Sequence, residues 1–147
     1  MSSTNRGGKR SPADDYPTPA WCVHRLLDAC ELPAGRWLEP CAGEGALIAA
    51  VDAHRTGQSW TAVELREDCG SALRERGIDV HIGDFRTMRA PASARFDVAI
   101  TNPPYSCAQD IVDRARELAD VVVMLLRLNF VATVGWGGRR RPAGGDA

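Results

Sequence analysis

The stretch Leu38-Glu39-Pro40-Cys41-Ala42-Gly43-Glu44-Gly45 joins a predicted strand, residues 36–39, to a predicted helix. The helix is indicated by side chains that repeat on one of its faces, namely Leu47, Ala50, Val51 and His54. Glycines in a turn between a strand and a helix let the backbone approach a ligand closely. The turn therefore predicts an α/β sheet with a ligand at the carboxyl end of this strand. Taken alone, the same glycine spacing is equally consistent with a plain turn that binds nothing.

Strand-like and helix-like patterns alternate over most of the chain. The first helix is predicted to begin at Thr18-Pro19, with Thr18 as its N-cap and Pro19 at its first helical position. A later helix, residues 67–76, ends at Gly77. This alternation predicts a mostly parallel, doubly wound α/β sheet. The other predicted elements are strands at 60–64, 80–82, 96–100 and 120–126, and a helix with Ala108, Ile111, Val112, Ala115 and Leu118 on one face.

Two expectations concern burial. The strand at 120–126 is apolar on both faces, which is typical of a buried parallel strand. Trp21, Trp37 and Trp60 are expected to pack between the helices and the sheet.

Acidic residues end three successive predicted strands: Glu39, Glu64 and Asp84. Because the carboxyl ends of parallel strands meet at one edge, we expect these side chains to lie together. Glu64 is placed to hold a ribose diol, and Asp84 to accept a hydrogen bond from an adenine amine beside the ring of Phe85. An acidic rim disfavours phosphate. It suits a ligand that carries an ammonium and a sulfonium, which predicts S-adenosylmethionine.

A second polar stretch, Asn102-Pro103-Pro104-Tyr105, follows the predicted strand at 96–100. Two consecutive prolines remove two backbone N–H donors and fix φ, which predicts a rigid turn with bare carbonyls. Asn102 adds a side-chain acceptor, and Tyr105 adds a flat ring. The turn is suited to accept hydrogen bonds from an exocyclic amine while stacking on the base that carries it. An ordinary β-turn is the alternative.

Composition restricts the class of protein. A chain of 147 residues with net charge −1 has room for one domain and shows no overall basic signature for nucleic acid. Five cysteines without a C-x-x-C pair and three widely spaced histidines predict neither a disulfide framework nor a metal site. The polar N-terminus and short apolar runs predict a cytoplasmic protein without a membrane span. Residues 1–13 are expected to be disordered, and residues 131–147 to form a flexible basic tail.

Together these motifs resemble those of class I S-adenosylmethionine-dependent methyltransferases, most of all the group that methylates adenine N6 in DNA, as in restriction–modification systems. The glycine turn resembles the family's Asp/Glu-Pro-x-x-Gly-x-Gly motif, and Asn102-Pro103-Pro104-Tyr105 resembles its catalytic motif. The resemblance covers residues 14–130, which we expect to form the methyltransferase domain. It implies a Rossmann-like fold, S-adenosylmethionine as the cofactor and DNA as the partner.

The resemblance also implies which residues form the site. The catalytic residues are Asn102, Pro103, Pro104 and Tyr105. An upstream element around Tyr16, Thr18 and Pro19 resembles the family motif that closes over the methionine end of the cofactor. The implied cofactor-binding set is Tyr16, Thr18, Pro19, Glu39, Cys41, Gly43, Gly45, Glu64, Asp84, Phe85 and Asn102.

The chain also departs from the family pattern. Family members continue through a helix and a β-hairpin, and the DNA enzymes carry a target-recognition region; neither pattern follows Phe130. We expect a truncated or frameshifted chain whose fifth strand forms an apolar edge that favours self-association. The same motif also occurs in enzymes that methylate cytosine N4, RNA bases or a protein glutamine amide. The upstream element favours DNA, and an inactive remnant is a further alternative.

Overall fold

The computed structural model describes residues 17–90 and 93–126. Tyr16 and the predicted terminal segments 1–13 and 131–147 lie outside the described residues. None of the helices in the described ranges is long and apolar enough to cross a membrane. In chain order the elements are α1 (Ala20–Ala29), β1 (Gly35–Glu39), α2 (Ala46–His54), β2 (Gln58–Glu64), α3 (Glu67–Glu75), β3 (Asp79–Ile82), β4 (Phe96–Thr101), a 3₁₀ turn (Tyr105–Cys107), α4 (Ala108–Leu118) and β5 (Ala119–Met124).

The five strands form one parallel sheet in the order β3-β2-β1-β4-β5. The chain starts in the middle of the sheet, moves outward to β3, and then returns to place β4 on the other side of β1. The direction of winding therefore changes between β1 and β4. Open α/β sheets bind their ligands at the carboxyl edge near such a change. The predicted parallel, doubly wound sheet is confirmed.

Helices cover both faces of this sheet. On one face, α1 and α2 pack against Trp37, and α3 packs against Ala62. On the other face, α4 packs in a cluster with Leu38 and Val63. Successive side chains of a strand point to opposite faces, which explains why neighbouring residues of β1 and β2 belong to different clusters. Burial of side chains such as Leu38 and Val63 stabilises the fold by about 1.5–3 kcal/mol each.

Two burial predictions are wrong. The fifth strand lies at the edge of the described sheet, as the family resemblance implies, but residues 121–124 are only half-buried and not buried on both faces. Among the described strands it pairs with β4 alone. Trp21 is exposed instead of packing on the sheet. Each residue turns an α-helix by about 100°, so Trp21, two residues before the buried Val23, lies on the opposite side of α1.

The start of α1 also differs from the prediction. Pro19 is the N-cap, with an extended ψ of 134°, and the helix begins at Ala20. Thr18 lies one residue before the cap. Its hydroxyl accepts a hydrogen bond from the amide nitrogen of Asn102 at 3.2 Å, so it contacts the turn after β4 instead of capping the helix.

Candidate functional site

The turn after β1 requires glycine at two positions. Gly43 and Gly45 have φ values of +54° and +82°, in the left-handed region that other residues rarely adopt. A Cβ at Gly45 would also lie 2.5 Å from side-chain atoms of Leu73 and Arg76. A side chain at position 45 would therefore displace the ends of the Leu73 and Arg76 side chains, in addition to the strain of the positive φ.

Two buried carboxylates hold this turn in place. Glu39 accepts a hydrogen bond at Oε1 from the Cys41 N–H at 3.0 Å. Glu64, the last residue of β2, accepts one at Oε2 from the Gly43 N–H at 2.6 Å. Arg66 donates to the other oxygen of Glu64 from its backbone N–H and its Nε, both at 3.1 Å. Because a carboxylate has about four acceptor sites, Glu64 can accept one further bond from a ligand hydroxyl.

Asp84 follows β3 and forms an ion pair with Arg86. Its oxygens accept hydrogen bonds from the backbone N–H, Nε and Nη2 of Arg86 at distances from 2.7 to 3.1 Å. These bonds hold the pKa of the Asp84 carboxyl below its usual value, and the carboxylate in turn raises the pKa of Arg86. The intervening Phe85 is buried in the core with Leu38 and Val63. The Asp84 carboxylate itself remains partly exposed and accessible to a ligand.

The turn after β4 leaves the sheet at the same carboxyl edge. Asn102 is exposed, Pro103 is buried, and Pro104 and Tyr105 are half-buried. The expectation of bare proline carbonyls is wrong for Pro104. Its carbonyl accepts a hydrogen bond from the Cys107 N–H at 3.3 Å, because a 3₁₀ turn begins at Tyr105.

An open cleft lies between these elements. Its walls come from the turn after β1, the ends of β2 and β3, and the start of α4. Five predicted site residues line it: Cys41, Glu64, Asp84, Phe85 and Pro104. The other described site residues lie outside the lining: Thr18, Pro19, Glu39, Gly43, Gly45, Asn102, Pro103 and Tyr105.

Two arginines and one cysteine at this site are not predicted from the sequence. Arg66 and Arg86 each lie two residues after a strand-end acid and donate hydrogen bonds to it. Arg86 and Cys107 line the cleft. The signal that could have revealed the arginines is an acid-x-Arg pattern, which occurs after both β2 and β3.

The polar groups of the cleft suit an organic cation with hydroxyl and amine groups. Glu64 and Asp84 supply carboxylates, which accept hydrogen bonds from such groups. Within residues 17–90 and 93–126, no group of three or more His, Cys, Asp or Glu side chains is arranged to hold a metal ion. The cleft offers carboxylate acceptors from Glu64 and Asp84 and a guanidinium donor from Arg86.

Comparisons with known proteins bear on the fold. No protein-family model matches the chain, and no curated protein matches it. Many solved structures are similar. PH1948 from Pyrococcus horikoshii, described as a candidate RNA methyltransferase, is similar over 77% of this chain and 60% of its own, with a TM-score of 0.57 and 21% identity.

Two further structures show the same likeness. The 23S rRNA methyltransferase ErmE is similar over 79% of this chain and 49% of its own, with a TM-score of 0.62 and 25% identity. The glycopeptide N-methyltransferase MtfA, solved in complex with S-adenosyl-L-methionine, is similar over 76% of this chain and 55% of its own, with a TM-score of 0.55 and 20% identity. The chain thus spans 49% to 60% of the length of these three proteins. It has the Rossmann-like fold of class I methyltransferases, as the sequence predicts.

Proposed function

We propose that the protein binds S-adenosylmethionine in the cleft and transfers its methyl group to the N6 amine of adenine in DNA. The observation that carries this proposal is the meeting of three strand-end acids and the Asn102-Pro103-Pro104-Tyr105 turn at one edge of a parallel sheet. The similar structures ErmE and MtfA are methyltransferases, and MtfA was solved with this cofactor. The fold and the chemistry of the cleft thus support the same ligand.

The residues around the cleft fit this cofactor. Glu64 has an acceptor site left for a ribose hydroxyl, and Asp84 presents a partly exposed carboxylate to an adenine amine. Glu39 lies beneath the turn after β1, where its negative charge favours the ammonium group. The left-handed glycines of that turn, Gly43 and Gly45, let the backbone approach the ligand closely.

The turn after β4 supplies what the acceptor amine needs. S-adenosylmethionine provides an electrophilic methyl group, whereas the lone pair of adenine N6 is delocalised into the ring. The Asn102 amide oxygen and the Pro103 carbonyl oxygen accept hydrogen bonds from the two N–H groups of the amine. These hydrogen bonds stabilise the nitrogen as it becomes tetrahedral. The bond from the Asn102 amide nitrogen to the Thr18 hydroxyl fixes the orientation of this amide group. Tyr105 stacks on the extruded base, which contributes roughly 1–3 kcal/mol.

A second candidate substrate is a base in RNA. ErmE is a 23S rRNA methyltransferase, and PH1948 is described as a candidate RNA methyltransferase. Adenine has the same exocyclic amine in both nucleic acids, so the acceptors of the turn after β4 suit either one. Cytosine N4 and a protein glutamine amide carry similar nitrogen groups. Methylation of either one is an outcome that the same test would detect.

Methyl transfer is measured with radiolabelled S-adenosylmethionine and separate DNA, RNA and protein substrates, followed by analysis of the labelled product. We expect N6-methyladenine in DNA. Asn102→Ala should lower the rate about 10²–10³-fold, because it removes an acceptor aimed at the reacting amine. Cofactor affinity should change little. Gln109→Ala is the matched control, since Gln109 is an exposed amide on α4 that bonds to Asp113 and does not line the cleft.

The outcomes separate the alternatives. Label found only in RNA would favour the second candidate, and label only in protein would exclude both nucleic acids. Equal loss of rate in the Asn102 and Gln109 variants would contradict the assigned role of Asn102. Cofactor binding without transfer to any substrate would identify an inactive form.

A further inference from the structure

Two cysteines line the cleft. Cys41 lies in the turn after β1, and Cys107 lies directly before α4. Both side chains are half-buried, and both pack against the core cluster beneath the cleft. Because they reach the cleft from different elements of the fold, a group attached to either sulfur occupies space that a ligand needs.

The Cys107 thiol donates a weak hydrogen bond from Sγ to the Pro104 carbonyl at 3.9 Å. Two features of its surroundings favour attack by this sulfur. Cys107 is the N-cap of α4, a helix of 11 residues, where the helix dipole stabilises negative charge. Arg86 lines the same cleft, where its guanidinium attracts a negatively charged sulfur. Partly exposed cysteines in electropositive surroundings are those that react.

The other cysteines have less reactive surroundings or lie elsewhere. The backbone of Cys41 bonds to the buried carboxylate of Glu39, whose negative charge disfavours a thiolate nearby. Cys69 is buried, and burial raises the pKa of its thiol. Cys22 lies on α1 and Cys30 directly follows it; neither lines the cleft.

We propose that Cys107 and Cys41 form a thiol-modification site inside the cleft, at which a low-molecular-weight disulfide reacts with Cys107 first and blocks the cofactor. The sulfur of Cys107 attacks one sulfur of the disulfide, and a new S–S bond to the protein forms. The other half of the reagent leaves as a thiolate and takes up the proton that Cys107 loses. A thiol reductant reverses the reaction and reopens the cleft. The blocked ligand is the cofactor of the proposed function, on which this inference rests.

The test treats the full chain with 2-hydroxyethyl disulfide and maps the modified cysteines by peptide mass spectrometry over time. Cys107 should be modified before Cys41. S-adenosylhomocysteine at about 20 times its Kd should slow the reaction at Cys107 about 20-fold, because only about one cleft in twenty stays empty. Cys30, exposed and outside the cleft, is the internal control, and its rate should not change.

Calorimetry on the modified chain completes the test. Its affinity for S-adenosylhomocysteine should fall at least about tenfold and return after reduction with dithiothreitol. Cys107→Ser should lose affinity only at the slower rate at which Cys41 reacts, and Cys30→Ser should behave as the wild type does. Reaction at Cys41 first, unchanged affinity after modification, or a bound ligand that does not slow Cys107 overturns the inference. If the unmodified wild-type chain does not bind S-adenosylhomocysteine, the proposed function is overturned. The inference that modification blocks the cofactor is then overturned as well.

Discussion

Two loops at the cleft share a sequence pattern and differ in burial. Glu64-Leu65-Arg66 follows β2, and Asp84-Phe85-Arg86 follows β3. In both, the arginine donates to the acid from its backbone N–H and from its Nε. In the first loop the acid side chain is 3% exposed and the middle residue 63% exposed. In the second loop the acid is 30% exposed and the middle residue 2%.

This difference gives the two acids different tasks. Glu64 also accepts a bond from the Gly43 N–H, 21 residues away, so its carboxylate ties the turn after β1 to β2. The bonds of Asp84 are local, to Arg86 two residues later, and part of its carboxylate faces solvent. One local pattern thus produces a structural tie in one loop and a ligand-accessible acceptor in the other. The surrounding fold decides which, because it determines which of the three side chains is buried.

The largest expected effect concerns the buried acid. Glu64→Ala should lower the free energy of unfolding by about 2–3 kcal/mol, because it leaves the Gly43 N–H and Arg66 without their buried acceptor. Asp84→Ala is the matched change in the other loop and should cost less than about 1 kcal/mol, as exposed ion pairs usually do. Urea denaturation followed by circular dichroism measures both changes. Equal losses of unfolding free energy in the two variants would show that the burial of the acid does not determine how much it stabilises the fold.

A smaller effect concerns recognition of the ligand. Asp84→Ala should weaken binding of S-adenosylhomocysteine about tenfold, or about 1.4 kcal/mol, because it removes the charged acceptor for the adenine amine. The control ligand is the analogue with oxygen in place of the 6-amino group. The wild type should bind this analogue about tenfold more weakly, whereas the variant should bind both ligands alike. Titration calorimetry measures all four affinities, and a variant that still prefers the amine would remove Asp84 from the adenine site.

The order of the elements could be predicted because local sequence features decide it. The glycine turn, the strand-length apolar runs and the helical spacing each act within a few residues, and the predicted bounds differ from the observed ones by one or two residues. The edge position of β5 is expected from the family resemblance and not from such local features. An apolar run of strand length looks the same at the centre and at the edge of a sheet, because its neighbours are set by packing of the whole chain.

The site could be predicted in part. The acids at the strand ends could be found because residues that follow parallel strands share one edge. The bond between Thr18 and Asn102 could not, since it joins residues 84 positions apart and leaves no local pattern. The lining of the cleft was predicted only in part: Glu64 and Asp84 belong to it as expected, whereas Cys107 was not predicted and Asn102 lies outside it. The path of the chain through the 3₁₀ turn decides which of these side chains reaches the cleft.

The smallest expected effect concerns the exposed ion pair of the second loop. Arg86 holds the pKa of Asp84 below its usual value, so the folded protein favours the ionised carboxylate. Such a group stabilises the protein above its unfolded-state pKa of about 3.9 and loses this contribution as the pH falls through the lower native pKa. Arg86→Gln should therefore reduce the free energy of unfolding by less than about 1 kcal/mol between about pH 5 and 8. The two proteins should converge as the pH falls below about 4.

Salt provides the control for this prediction. Because 44% of the Arg86 side chain is exposed, the attraction is screened, and about 1 M salt should shrink the difference between the two proteins. The hydrogen bonds of the buried Glu64 should be less sensitive to salt. The loss of unfolding free energy in Glu64→Ala should therefore persist at the same salt concentration. Urea denaturation at several pH values and two salt concentrations measures these differences. A difference for Arg86→Gln that is unchanged at pH 3 would mean that Asp84 is not the group through which Arg86 stabilises the fold.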